Sequence, residues 1–263
     1  MRYIVVAILF SPLTVLAQPR SSAAQLGVPG RNGKIKALTT YVYRNEQSFK
    51  EKKPAMVETE FFDNSGRRIE RALVSDDKKK SKTIYHYRKF RVLDTTYKNG
   101  EVAETEIEIL DGMGRMVERD AKLYNPIMPP EFREIKFKTI LQYDKNGNPI
   151  GETTGMSGKK PQSKTSYVYD SRNRLIEQDV LVYRSAQNQM LKTVNSYNSS
   201  DLKIKHELYE NDKLASSSSI QYDDFDKHGN WRLSTEKTEY HSDRIYKDST
   251  ITSTTIREIT YFK

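Results

Sequence analysis

The chain has 263 residues, a formal net charge of +9, and no cysteine, so disulfides, thiol chemistry and a lipid-attachment cysteine are all excluded. Hydrophobic residues make up 36% and mean hydropathy is −0.79, too little for a thick globular core. Tyrosine (17) outnumbers phenylalanine (9) and tryptophan (1) together, so much of the apolar surface carries a hydroxyl suited to a half-wet sheet face.

In chain order, residues 1–17 read as a cleaved secretory signal peptide. Met1-Arg2 supplies the positive start, and Tyr3 to Leu16 is apolar apart from Ser11, Pro12 and Thr14. Val15-Leu16-Ala17 before Gln18 fits a cleavage site. The run is shorter than the ~20 apolar residues a spanning helix needs, and no other segment could span as a helix. Residues 18–36 are rich in Ser, Gly, Pro and Ala and are expected to be a flexible N-terminal segment.

From 37 to 263 period-two alternation dominates. Glu104, Glu106 and Glu108 face away from Thr105, Ile107 and Ile109; Ile135, Phe137, Thr139, Leu141 and Tyr143 face away from Lys136, Lys138 and Gln142. This is the pattern of half-buried antiparallel strands. Between the strands, turns such as FFDNSGRRIE (61–70), LDGMGRMVE (110–118), YDKNGNPIGE (143–152), YDSRNRLIE (169–177) and FDKHGNWRL (225–233) repeat one formula. An aromatic or Leu precedes Asp, and a Gly or Asn that can take positive φ precedes the next β-favouring run. Long helical periodicity is absent, so helix should be scarce. The prolines of LYNPIMPPEF (123–132) mark a loop between hairpins, and SDDKKKSK (75–82) a solvated hairpin tip.

YVYDSRNRLIE and YDKNGNPIGE resemble the YD repeat of the RHS family, and DKHGNW resembles a variant found in small exported Bacteroidetes-type proteins. The resemblance covers about residues 38 to 263. It implies an all-β fold in which repeated β-hairpins lie side by side in an extended twisted antiparallel sheet. Full-length RHS proteins wrap such a sheet into a shell around a toxin; too few hairpins for a shell, and no toxin or self-cleavage segment, are present here.

No catalytic constellation emerges. His86, His206, His228 and His241 lack metal-ligand spacing. GETTGMSGKK (151–160) misses the phosphate-loop spacing. DDFDKHGN (223–230) lacks the closing Glu of a calcium loop, with Thr235 in its place. Catalytic, cofactor and metal sites are therefore expected to be absent. The binding candidates are a tyrosine ladder of Tyr143, Tyr169, Tyr197, Tyr209 and Tyr222 with Trp231, read either as structural stacking or as a glycan platform. A second candidate is the edge of the last strand, Thr254, Ile256, Glu258, Thr260 and Phe262, which in an open sheet would present unpaired backbone to a partner.

These features describe a non-enzymatic exported protein of the periplasm or cell surface, outer-membrane associated, that binds or scaffolds an envelope protein partner or complex. The alternative is a carbohydrate- or peptidoglycan-binding module. Nucleic acid is disfavoured by export and by the lack of a compact basic stripe. An outer-membrane β-barrel fits the strands and leader, but Lys and Glu stand where its outward apolar band belongs.

Overall fold

The computed structural model describes residues 34–77, 79–124, 133–185, 187–241 and 249–262. The signal-peptide reading, nearly all of the flexible segment, and the proline loop at 125–132 lie outside these residues. β1 (Ile35–Tyr43) is followed by a single short helix, α1 (Glu46–Lys50), then β2 (Met56–Phe62), β3 (Arg68–Ser75), β4 (Lys80–Arg88), β5 (Arg91–Lys98) and β6 (Glu101–Leu110). The chain continues through β7 (Met116–Tyr124), β8 (Glu134–Tyr143), β9 (Pro149–Met156), β10 (Ser163–Tyr169) and β11 (Leu175–Val182). It ends with β12 (Gln189–Tyr197), β13 (Lys203–Glu210), β14 (Lys213–Phe225), β15 (Trp231–Tyr240) and β16 (Thr250–Tyr261).

All sixteen strands form one antiparallel meander, and β1 pairs with β16 to close it into a barrel. The expected extended open sheet is thus corrected: the class is all-β, but the sheet is closed. The cause lies in the turns. At six of them, all on the same end of the barrel, the ladder shifts register beside the turn: Phe61/Phe62, Ile109/Leu110, Gln142/Tyr143, Val168/Tyr169, Ser196/Tyr197 and Asp224/Phe225. Each such bulge bends its strand and increases local twist. Further shifts at Thr96/Tyr97 and Leu208/Tyr209 bend strands at the opposite end, so both rims favour a curled sheet.

Closure removes the free edge assigned to β16. Thr254, Ile256, Glu258 and Thr260 pair with Tyr43, Tyr41, Thr39 and Ala37 of β1, and Thr254 and Ile256 pair on the other side with Thr235 and Leu233. The Phe262 N–H donates to the Lys34 carbonyl at 2.8 Å. Across the seam the Tyr41 hydroxyl donates to Glu258 at 3.2 Å. Beside the seam, Phe49 of α1 packs edge-on to Tyr43 at 5.3 Å, covering Tyr43 and Thr254. β16 is therefore an interior strand of a closed sheet, not a free edge.

Register fixes which face points inward. Glu60, Arg71, Thr83 and Thr96 share the inner face with Glu104, and the parity carries through Asp94, Glu106, Glu108, Arg119, Thr139 and Thr154. Thus Glu104, Glu106 and Glu108 point into the barrel while Thr105, Ile107 and Ile109 point out. The apolar core is small: Ile35, Leu38 and Phe62 cluster beside the seam with Ile259 and Tyr261. Elsewhere hydroxyl pairs join inner-face neighbours, Thr83–Thr96 at 2.8 Å, Thr139–Thr154 at 3.0 Å and Ser218–Thr238 at 2.8 Å.

Candidate functional site: the turn end and the inner wall

Six turns of five residues share one geometry. In each, the Asp or Asn at the start (Asp63, Asp111, Asp144, Asp170, Asn198, Asp226) exchanges backbone hydrogen bonds with the fourth and third residues after it, at 2.8–3.2 Å. Its Oδ1 accepts the amides of the second and fourth residues at 2.8–3.0 Å. The third residue takes positive φ, as Gly147 (87°) and Gly229 (79°) do, and Asn173 (59°) substitutes where glycine is missing.

Where the fourth residue is arginine, a second layer forms. Arg67, Arg115 and Arg174 each donate Nε to the turn Asp Oδ2 at 2.7 Å. Their guanidinium groups then lie over Tyr87, Tyr143 and Tyr197, 4.8–5.0 Å from the ring centres. Those tyrosines donate to the backbone carbonyl just past the turn: Tyr87 to Arg68 at 2.8 Å, Tyr143 to Met116 at 2.5 Å, Tyr197 to Leu175 at 2.9 Å. Tyr222 reaches Lys203 in the same way at 2.9 Å. Four of the hairpin turns are thereby clamped by a tyrosine from the strand that follows the hairpin.

Three ladder members, Tyr143, Tyr197 and Tyr222, make this clamp, and Tyr169 stands at the equivalent place at the end of β10. Burial pushes the Tyr143 and Tyr169 hydroxyls up to about 12. Tyr209 does not belong with them; it lies on the outer face at the far end of β13, its hydroxyl 3.3 Å from Glu207. Trp231 is buried behind the last turn, 5.3 Å from Tyr222, with the Arg257 guanidinium 3.5 Å from its ring centre. Arginine covers a ring face of Tyr143 and of Tyr197, and these two tyrosines brace turns.

The last turn closes differently. Asn230 replaces arginine, and Tyr261 of β16 donates its hydroxyl to Asp226 while accepting from Asn230 Nδ2 at 2.5 Å. His228 stacks on the Tyr261 ring at 4.3 Å. The same clamp that joins successive hairpins thus fastens the C-terminal strand.

The inner wall carries three charged groups. On β2 and β3, Arg71 grips Glu58 through two bonds of 2.6 and 3.1 Å, and Arg68 meets Glu60 at 2.6 Å. Burial pulls the nearby Arg257 down to about 10, against the pull of Tyr222, Glu60 and Glu58. On β13 to β15, burial lowers both Lys203 and His206, and His206 Nε2 lies 3.6 Å from Glu236. The third group, on β5 to β7, is acidic. Oxygens of Asp94, Glu106 and Glu108 lie within 4.8 Å of one another, with Asp94 and Glu108 almost fully buried. Burial first, then Glu106 and Asp94, pushes Glu104 up to about 7. Arg119 approaches Glu106 at 3.9 Å. All-oxygen donors of this kind suit a hard divalent cation, which Asp94, Glu106 and Glu108 could hold. Sequence reading missed the cluster. The i, i+2, i+4 carboxylates on β6 are its signal in the sequence, but alternation alone does not say which strand face is the inside.

The fold and these features define a closed all-β barrel with a charged inner wall. No family model and no curated protein matches the chain. Among solved structures, it is similar to a porin-like protein from Bacteroides uniformis (9% identity, TM-score 0.58, covering 87% of this chain and 98% of that one). It is also similar to a porin-like protein from Bacteroides vulgatus (14% identity, TM-score 0.51, covering 88% and 99%). At these identities the likeness is one of fold. A match to the TcdB2–TccC3–Cdc42 complex (12% identity, TM-score 0.30, covering 73% of this chain and 12% of that one) carries no argument. The resemblance to YD repeats therefore rests on the turn phrase alone.

Proposed function

We propose that the chain is a non-enzymatic barrel of the cell envelope whose outer wall faces water, and that it works as a binding or scaffolding protein, not as a membrane-spanning pore. The observation that carries this reading is the middle of the outer wall. Asp120 stands opposite Lys138, and Asp179 opposite Lys192, at mid-strand on the outward face. Lys138 bonds Glu118 at 2.7 Å, Lys192 bonds Glu177 at 2.7 Å, and Lys237 bonds Glu239 at 2.9 Å. A lipid-facing Lys or Arg at the bilayer midplane costs ~2–4 kcal/mol, and several would stand there together. The leader-like residues 1–17 and the porin-like fold support an envelope address.

The test is to produce the full chain in a Gram-negative host, wash the envelope with alkaline carbonate, and record conductance in planar bilayers. Release without detergent, and no conductance steps, are expected. A requirement for detergent together with stepwise conductance would refute the reading.

A further inference from the structure

The turn end of the barrel differs from the opposite end in one respect that the water-facing reading leaves unexplained. Most of the large apolar side chains exposed among the described residues flank the six turns: Phe61, Ile69, Ile107, Ile140, Ile150, Val168, Ile204 and Phe225 all sit within four residues of a turn on this end. At the far end, only Val74, Val102, Tyr183 and Met190 are comparably exposed. The turn tips add to the collar. Met113 is 76% exposed, and Phe90, at the tip between β4 and β5, is 48% exposed with the Lys89 ammonium 5.2 Å from its ring centre.

Charge at the same tips is mainly positive, and the tip acid Asp201 is held by Arg172 and Arg174 at 3.2 and 2.9 Å. Turn carboxylates are folded back on their own amides and, in three turns, on the arginine of the same turn. Outward from them stand exposed Lys89, Lys145 and Lys227, with Arg88 and Arg91 flanking Phe90. We infer that this end is a docking surface for an anionic lipid surface, with Phe90 and Met113 entering the headgroup boundary while Lys89, Lys145 and Lys227 meet lipid phosphates. The inference rests on the non-spanning reading above and names the partner it leaves open.

Two arguments favour lipid over a protein partner. The apolar positions run round a convex rim, and a planar, laterally uniform surface can touch many tips at once. Depth is limited as well: the mid-wall pairs Asp120–Lys138 and Asp179–Lys192 lie just beyond the collar. That confines contact to the ~5–10 Å that interfacial elements bury. The collar continues at β14, where Phe225 is exposed beside the last turn, with the Arg232–Asp224 pair (3.5 Å) next to it.

The experiment is co-sedimentation of the purified protein with vesicles of phosphatidylethanolamine and phosphatidylglycerol, against vesicles of phosphatidylcholine alone. Binding to the anionic vesicles that falls with salt is expected. The double variant Phe90→Glu, Met113→Glu should lose roughly tenfold or more in partitioning, while Val74→Glu, Met190→Glu at the far end should bind as the unaltered protein does. Circular dichroism checks that each variant retains the barrel. A Lys89→Ser, Lys145→Ser variant, which leaves every strand untouched, should lose the preference for anionic lipid even if the glutamate pair misfolds. Absence of vesicle binding, equal binding by the tip variants, or equal loss from the far-end variant overturns the inference; the first of these outcomes would leave a protein partner as the occupant. Carbonate-resistant insertion would instead overturn the non-spanning reading, so the two failures are distinguishable.

Discussion

Asp63 is the sharpest place to test whether the turns hold the barrel together. Its Oδ1 accepts the amides of Ser65 and Arg67, both at 2.9 Å, and the Ser65 hydroxyl at 2.7 Å, while Oδ2 takes Arg67 Nε at 2.7 Å. Partial burial works against ionisation, but these bonds outweigh it and hold the carboxyl down to about 2, from an ordinary 3.8. The Asp63 side chain is 24% exposed, so the shift converts to stability with little solvent discount: ~2 kcal/mol at neutral pH. A depressed carboxylate contributes fully above its unfolded pKa and loses its contribution as pH falls through its folded one. Asp63→Asn keeps an Oδ1 acceptor but removes the charge. It should therefore cost ~2 kcal/mol at pH 7, and that difference should shrink through the window from about 4 to about 2. Urea unfolding followed by the fluorescence of the single tryptophan, buried Trp231, at pH 7, 5, 3 and 2 measures it. A cost that is the same at pH 2 as at pH 7, or absent throughout, would show that the carboxylate does not organise the turn.

Three further outcomes are expected. Gly147→Val should lower stability by ~1 kcal/mol or more, because φ is 87° there although the nearest side-chain atoms are a comfortable 3.9 Å away; an unchanged melting temperature would contradict the turn geometry. Tyr197→Phe should cost ~1 kcal/mol by leaving the Leu175 carbonyl without its hydroxyl donor, measured in the same urea titration, and a neutral result would mean the clamp is ornamental. Glu104 is raised, so its penalty grows as pH rises from its unfolded pKa toward about 7; Glu104→Gln should stabilise by up to ~3 kcal/mol at pH 8 and hardly at all at pH 4. A melting-temperature gain that is the same at both pH values would rule out charge crowding as the cause.

The strands and turns were legible because both are local. Alternation along β6 and β8, and the Asp-to-Gly spacing of 144–147 and 226–229, report residues within a few positions of each other. Even the Arg of the phrase had a reason in the sequence, since Arg174 sits four residues after the Asp170 it bonds. What could not be read was long-range. The seam bond from Tyr41 to Glu258 spans 217 residues, and nothing in either strand announces the other. Without closure, period two gives two faces but not an inside, so Glu104, Glu106 and Glu108 looked solvated and β16 looked unpaired. Of the charged residues read from that alternation, Lys136 and Lys138 stay on the outer wall after closure, whereas Glu104, Glu106 and Glu108 turn inward.

The tyrosine clamps also determine what a change in size would require. Each tyrosine looks back only one hairpin, from β4 to the Asp63 turn, from β8 to the Asp111 turn, and from β12 to the Asp170 turn. The contacts are thus the same whether a hairpin is the third or the sixth in line. A duplicated hairpin would arrive carrying both its own turn and the tyrosine that grips the turn before it. Only the final grip, Tyr261 on Asp226, must stay with the closing strand. Circumference becomes a matter of copy number, and a chain built in this way can gain or lose girth by whole hairpins without redesigning a single joint.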